Sequence, residues 1–169
     1  HQLYLTDQSL VDFDSRFHVI PPFRTEDDRV ALCKGVADGT LSAICSDHQP
    51  HEEGAKLDVF ASTEPGISAL ETVLPLLLDL ASTGQIGLVR SIDSLTRRPA
   101  EILGVGSGRL SPGVVADICI FDPQACWTVD ARKWRSRGLN TPFSGKEVTG
   151  RVTFTLVGGK IVHEWCERS

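Results

Sequence analysis

The segment Ser46-Asp47-His48-Gln49-Pro50-His51 gathers the groups in this chain best suited to chemistry. A carboxylate, two imidazoles and a rigid proline follow directly on the apolar run Leu41 to Cys45. At the C-terminal end of a buried parallel strand, such a carboxylate lies where the strand-to-helix loops converge. It can then ligate a metal through one oxygen or exchange a proton with water. Spacing alone leaves a second reading open, in which Asp47 caps a loop and His48 and His51 are simply exposed. His1 is a further candidate ligand, because no linker-like Gly or Ser separates it from Gln2-Leu3-Tyr4-Leu5-Thr6-Asp7. His18 and His163 have no partner in sequence and read as structural or exposed, and Glu52-Glu53 reads as a solvated pair.

The elements that must position these groups follow from local pattern. Leu3-Tyr4-Leu5, closed by Thr6-Asp7, reads as the end of a strand, and Pro21-Pro22 forces an extended path. Thr25 is placed to cap a helix whose first turn is acidic and whose apolar stripe is Val30, Cys33, Val36 and Ala37, with Gly39 ending it. Leu41 to Cys45 suits a strand buried on both faces, so strand, helix and strand together read as a parallel α/β unit. Glu52 to Gly66 reads as loop. Ser68-x-x-Glu71 has the pattern of a capping box opening a helix towards Ser82, with Pro75 in or near its first turn. Leu88 to Leu103 reads as one or two helices broken at Pro99. Beyond Gly104 the runs are of β type: Ala116 to Phe121, Trp127 to Val129, Arg151 to Val157 and Lys160 to Trp165. The last two flank Gly158-Gly159, a two-residue hairpin signal. A boundary near residues 106 to 110 divides an α/β portion, 1–107, from a β portion, 108–169.

Composition bounds the function classes. Apolar residues make up 41% and charged residues 23% of 169, the balance of a folded domain and not of a disordered chain. A net charge of −5 argues against a nucleic-acid surface. No apolar run approaches the roughly 20 residues of a membrane span, so a cytoplasmic protein is expected. Cys33, Cys45, Cys119, Cys126 and Cys166 lack paired spacing and read as free thiols. Because the chain starts at His1 and contains no methionine, it is expected to be a piece of a longer polypeptide.

Several segments together resemble one family. His1 to Asp7 resembles the His-His-Leu-x-Leu-Thr-Asp strand of dihydroorotases, and Val19-Ile20-Pro21-Pro22-Phe23-Arg24 their Val-Asn-Pro-Pro-Leu-Arg. Ser46 to His51 resembles their Thr/Ser-Asp-His-Ala-Pro-His. Pro65-Gly66-Ile67 with Leu70-Glu71-Thr72 resembles their Pro-Gly-x-x-Gly-Leu-Glu-Thr. Gly113 to Ile118 and Asn140-Thr141-Pro142-Phe143-x-Gly145 are similar as well, so nearly the whole chain is covered.

That resemblance implies an α/β fold, the C-terminal part of a TIM-type barrel of the amidohydrolase superfamily plus part of a small β-sandwich. It implies reversible cyclisation of N-carbamoyl-L-aspartate to dihydroorotate in pyrimidine synthesis, with one or two zinc ions polarising the ring carbonyl and activating water. Asp47 falls on a metal-ligating and proton-carrying position, His1 on a metal position, and His51, Pro65 and Gly66 on substrate-binding positions. Ile20 stands where the family places a polar residue that binds the substrate carboxylate, and Gln2 replaces a His. Loss of one donor to a charged group costs about 1.5–3 kcal/mol. Two further readings follow from related families. One is a non-catalytic, dihydroorotase-like scaffold partner of aspartate transcarbamoylase, which Gln2, Gln49 and Thr63-Glu64-Pro65-Gly66 resemble. The other is a hydantoinase or allantoinase. This piece alone is expected to be inactive and to self-associate, as a homo-oligomer or aggregate, through unpaired strand edges and apolar faces.

Overall fold

The structure, a computed structural model, describes residues 1–166, so the last three residues of the expected β portion lie outside the described residues. Four helices precede a three-stranded sheet. Helix α1 spans Glu26–Asp38. Thr25 Oγ1 accepts from the Asp28 N–H while Asp28 reaches back to the Thr25 N–H, a reciprocal cap, and Gly39 closes the helix at φ 91°. Only half of its expected apolar stripe is covered: Cys33 and Val36 are buried, but Val30 is half exposed and Ala37 lies at the surface.

Helix α2, Val73–Ser82, is the centre of the packing. Its opening differs from the capping box read at Ser68. Ser68 Oγ instead meets Ser136 Oγ at 3.2 Å, and the Glu71 carboxylate accepts from the Arg135 N–H at 2.7 Å. Both side chains are drawn off by the chain around residue 136, so a 3-10 turn, Leu70–Thr72, leads into the helix and Pro75 sits in its first turn. One face of α2 puts Leu77 and Leu80 against Cys33, Val36 and Ile86. Another puts Leu76 against Val129, Phe143 and Val148. Each such buried side chain stabilises by about 1.5–3 kcal/mol. Helices α3, Leu88–Leu95, and α4, Arg97–Leu103, break at Thr96 and not at Pro99. Pro99 is tolerated because it falls in the first turn of α4, where its missing N–H has no helical acceptor to serve.

The sheet runs β1-β2-β3, all antiparallel, with β1 Ile118–Thr128, β2 Glu147–Val157 and β3 Lys160–Glu164. The two runs read as separate strands form one, interrupted where the register shifts between Asp122 and Cys126. Pro123 cannot donate to a ladder, and the bulge removes the need. Gly158 and Gly159, at φ 56° and 78°, make the expected two-residue turn. Gly150 allows β2 to touch α2, since a Cβ there would lie 2.2 Å from Leu78 Cδ1.

Two expected strands are absent among the described residues. Leu3-Tyr4-Leu5 is a turn, with the Tyr4 and Leu5 N–H groups both donating to His1 O. Leu41 to Cys45 runs without a strand partner and is mostly exposed; Arg90 donates to Leu41 O at 2.6 Å, and the Ile44 N–H donates to Ser94 O. A parallel strand requires a neighbour, and the only parallel pairing among the described residues is the bridge of His48 with Ile67. No helix among the described residues is long and apolar enough to cross a membrane. The five cysteines are free.

The N-terminal turn is tied down from two sides. Arg29 donates to Leu3 O and to Gln85 Oε1. The Tyr4 hydroxyl donates to Asp79 Oδ2 at 2.7 Å, and Lys146 approaches the same hydroxyl with its ammonium 4.1 Å above the ring. Burial, then the hydrogen bond to Asp79, push the Tyr4 phenol up to about 12 from its ordinary 10.0. The chain holds one tyrosine, so ultraviolet titration of the folded 169-residue chain reads Tyr4 alone. A midpoint near 12 is expected, and one near 10 would contradict the Tyr4–Asp79 contact. A raised folded value means the contribution is present below 10.0 and is lost as the pH rises through about 12.

Candidate functional site

The site forms where three segments meet: the N-terminal turn, the 45–51 segment and the 63–69 segment. Asp47 adopts φ 46°, in the left-handed region that Asp tolerates better than most residues. Its side chain is about half exposed, and Oδ2 lies 3.9 Å from His1 Nε2, whose own side chain is only 5% exposed. The His1 ring packs edge-on against Phe23, and its Nδ1 is buried without a hydrogen-bond partner among the described residues. The second Asp47 oxygen, Oδ1, accepts from Gln49 Nε2 at 2.8 Å. Behind His1 a cavity of about 30 Å³, lined in part by Cys45, Ser46 and Thr72, has room for one water but not for a ring substrate.

His48 has a different task from the one its position suggests. Its Nδ1 accepts from the Ala69 and Leu70 N–H groups at 3.0 and 3.2 Å, so in the neutral ring Nε2 carries the proton and faces Ser136 Oγ at 3.4 Å. It is neither exposed nor a base for Ser136; it holds the 69–70 backbone. His51 is likewise held and not loose: Nε2 donates to Pro65 O at 3.0 Å. Gly66 is buried beneath, at φ 137°, and a Cβ there would meet Gln49 Cβ at 2.6 Å and His51 Nε2 at 3.0 Å. The two loops can close on each other only because that atom is missing.

Asn140 is the residue whose role the sequence did not disclose. It is 6% exposed. Its Nδ2 donates to Gln49 O at 2.9 Å and to Gly66 O at 3.0 Å, and its Oδ1 accepts from the His51 N–H at 2.8 Å. One side chain thus clamps the segment bearing Asp47 to the segment bearing Pro65 and Gly66. The only signal was the Asn-Thr-Pro-Phe segment itself, which carries no indication of a partner some 90 residues away.

Ile20 projects into solvent, 68% exposed, between the buried Val19 and Phe23. Gln2 Nε2 donates to Pro21 O, which sets this loop beside His1. His18 is ordered by Thr63: Nδ1 donates to Thr63 Oγ1 at 2.9 Å, while that hydroxyl donates to Phe60 O. His18 O in turn accepts from the Gly66 N–H and from Lys56 Nζ. Burial, then the Lys56 cation, hold the His18 imidazole below its ordinary 6.5. A depressed folded value means its support for this loop is complete above 6.5 and is lost as pH falls through the folded value. A proton NMR titration should place the His18 midpoint below 6.5; a midpoint at or above that value would contradict the packing.

The model of the amidohydrolase family matches residues 13–162. The chain belongs to the amidohydrolase family. Within it, this amidohydrolase chain is 47% identical to a dihydroorotase-like protein of Pseudomonas aeruginosa, over 97% of this chain and 38% of that protein. It is 44% identical to a dihydroorotase of Geobacter metallireducens, over 97% of this chain and 39% of that one. Among solved structures, an L-hydantoinase (dihydropyrimidinase) from Arthrobacter aurescens superposes with a TM-score of 0.88 at 29% identity, covering 96% of this chain and 38% of that one. The α/β fold is therefore that of a part of a TIM-barrel enzyme family, and the chain spans about two fifths of the length of the relatives it matches.

Members of this amidohydrolase family are generally metal-dependent, and the donor set here fits half of such a site. Two tetrahedral zinc ligands with bonds of 2.0–2.2 Å stand about 3.4 Å apart. The His1 Nε2 to Asp47 Oδ2 separation of 3.9 Å approaches that value, and the pair combines an imidazole with a carboxylate. Among the described residues no third His, Cys, Asp or Glu joins them.

Proposed function

We propose that this chain is the C-terminal part of a zinc-dependent cyclic amide hydrolase of the dihydroorotase kind, opening and closing the dihydroorotate ring. The observation that carries this is Asp47, held in a left-handed backbone conformation with one oxygen towards His1 and the other on Gln49. Sparsely populated backbone conformations persist where the surroundings impose them, and they cluster at functional sites. The dihydroorotase name of the Geobacter relative supports the substrate, and the Arthrobacter hydantoinase supports the wider reaction class. In this reading residues 1–107 complete a barrel and residues 108–169 a β-sandwich. Self-association as a homo-oligomer is part of this reading for the whole protein, whereas association with aspartate transcarbamoylase is part of the scaffold reading.

The residues divide the work as follows. His1 Nε2 and Asp47 Oδ2 would hold zinc together with ligands from the remainder of the protein, since catalytic zinc takes three protein ligands. Bound zinc would supply a positive charge against the ring carbonyl and lower the pKa of water. Asp47 Oδ2 takes one proton of the attacking water and delivers it to the ring nitrogen as the C–N bond breaks, giving a carbamoyl NH2 and a carboxylic acid that loses the second water proton to solvent. Pro65 and Gly66 present backbone groups to the ring. Because the His51 Nε2–H donates to Pro65 O, its Nδ1 can donate to a substrate carboxylate only in the doubly protonated ring; in the neutral ring it is an acceptor.

One observation favours a second reading, a non-catalytic scaffold. Ile20 offers no hydrogen bond where the resemblance places a carboxylate contact, in keeping with the dihydroorotase-like name of the Pseudomonas aeruginosa relative. The two readings separate on the full-length protein loaded with zinc. Hydrolysis of dihydroorotate supports the enzyme, whereas stable association with aspartate transcarbamoylase and no hydrolysis supports the scaffold. Hydrolysis of hydantoin or allantoin alone would overturn both.

A further inference from the structure

The Gln49 side chain lies against the Asp47 carboxylate. Its backbone is pinned at both polar groups, the N–H donating to Ile67 O at 2.9 Å and the C=O accepting from Asn140 Nδ2 at 2.9 Å. The side chain is therefore launched from a fixed point. Its carboxamide lies between the Asp47 carboxylate and the buried Gly66: a Cβ built on Gly66 would come within 2.8 Å of Gln49 Oε1. An ionised carboxylate only accepts, so the amide nitrogen must face Asp47, and the 2.8 Å contact of Nε2 with Oδ1 has that orientation. The oxygen is left on the Gly66 side. With Oδ1 engaged, the carboxylate has one remaining oxygen, and that oxygen faces His1.

Given the reading of Asp47 as ligand and proton carrier, on which this rests, we propose that Gln49, which stands where the resembled dihydroorotase motif carries Ala, is a positioning residue for Asp47 particular to this chain. Its amide fixes the rotation of the carboxylate so that Oδ2 alone is presented to the metal and the reacting water. Shortening or removing the side chain frees the carboxylate to rotate, and a carboxylate that samples several orientations spends less time in the productive one. A glutamate at the position would set like charges against each other.

The test compares full-length wild type with Gln49→Ala and Gln49→Glu. Zinc affinity is measured by competition with a chromogenic chelator, kcat and KM for dihydroorotate by steady-state kinetics, and Tm as the folding control. Loss of a partner that orients a metal ligand lowers metal affinity or turnover by about 10–100-fold. For Gln49→Ala the expected result is a fall of that size in zinc affinity or kcat, with KM within threefold and Tm nearly unchanged. For Gln49→Glu the fall should be larger. A Gln49→Ala protein with both zinc affinity and kcat within twofold of wild type overturns the proposal and leaves the enzyme reading standing. So does a loss matched by a lowered Tm, with the remaining folded protein fully active. A wild type that neither binds zinc nor hydrolyses dihydroorotate overturns the enzyme reading, and this proposal falls with it.

Discussion

Asn140→Ala is expected to lower stability by about 3–5 kcal/mol, because each buried polar group left without its partner costs about 1–3 kcal/mol. The truncation strands three such groups at once: the His51 N–H, the Gln49 carbonyl and the Gly66 carbonyl. Asn140 is 6% exposed, so water does not reach all three without the loops parting. The loss is also functional, since the same bonds set the distance between the Asp47 segment and the Pro65–Gly66 segment. Asn140→Asp is a sharper probe. It keeps an oxygen for the His51 N–H but faces both carbonyls with another acceptor, and it should be no more stable than the alanine variant. Urea unfolding checks both, and a loss below about 1 kcal/mol for Asn140→Ala would remove the clamp from the account.

Gly66→Ala is expected to be comparably damaging for a different reason. The backbone at φ 137° is open to glycine and strained for any side chain, and the new Cβ would lie 2.6 Å from Gln49 Cβ. Strain of about 1–3 kcal/mol adds to an overpacking cost of similar size. A total of about 3 kcal/mol lowers Tm by roughly 6–12 °C in a chain of this length. Gly104→Ala is the milder comparison, because Gly104 sits at φ 67°, ψ 26°, in the left-handed region that other residues adopt at about 1–2 kcal/mol, and nothing lies within 4 Å of its would-be Cβ. It should cost only the strain. Equal Tm losses for the two variants would mean that the close approach of Gln49 to Gly66 contributes nothing.

What the sequence disclosed, and what it hid, divides along a physical line. Local signals held. Thr25 and Gly39 bracket α1, and Gly158-Gly159 turns β2 into β3, because each acts on backbone within a few residues of itself. Signals that depend on distant partners did not. Ser68 and Glu71 have the spacing of a cap, yet Ser136 and Arg135 claim them. Leu41 to Cys45 has the composition of a buried strand, yet no strand within the described residues pairs with it. In the candidate site, Asp47 and His51 were singled out by type and spacing and Gly66 by the family resemblance, so their candidacy was legible. Their geometry was not, since Asn140 and Gln49 set it through contacts that no local pattern encodes.

The most direct test of the account measures zinc content and dihydroorotate hydrolysis together in the full-length protein and its Asp47→Ala variant. The account predicts that wild type holds zinc and opens the ring. It predicts that Asp47→Ala folds with an unchanged far-ultraviolet spectrum, binds zinc more weakly, and loses at least about 100-fold in kcat, the scale expected when a proton-transferring group is removed. An Asp47→Ala variant that hydrolyses dihydroorotate as fast as wild type, or a wild type that neither holds zinc nor opens the ring, would contradict it.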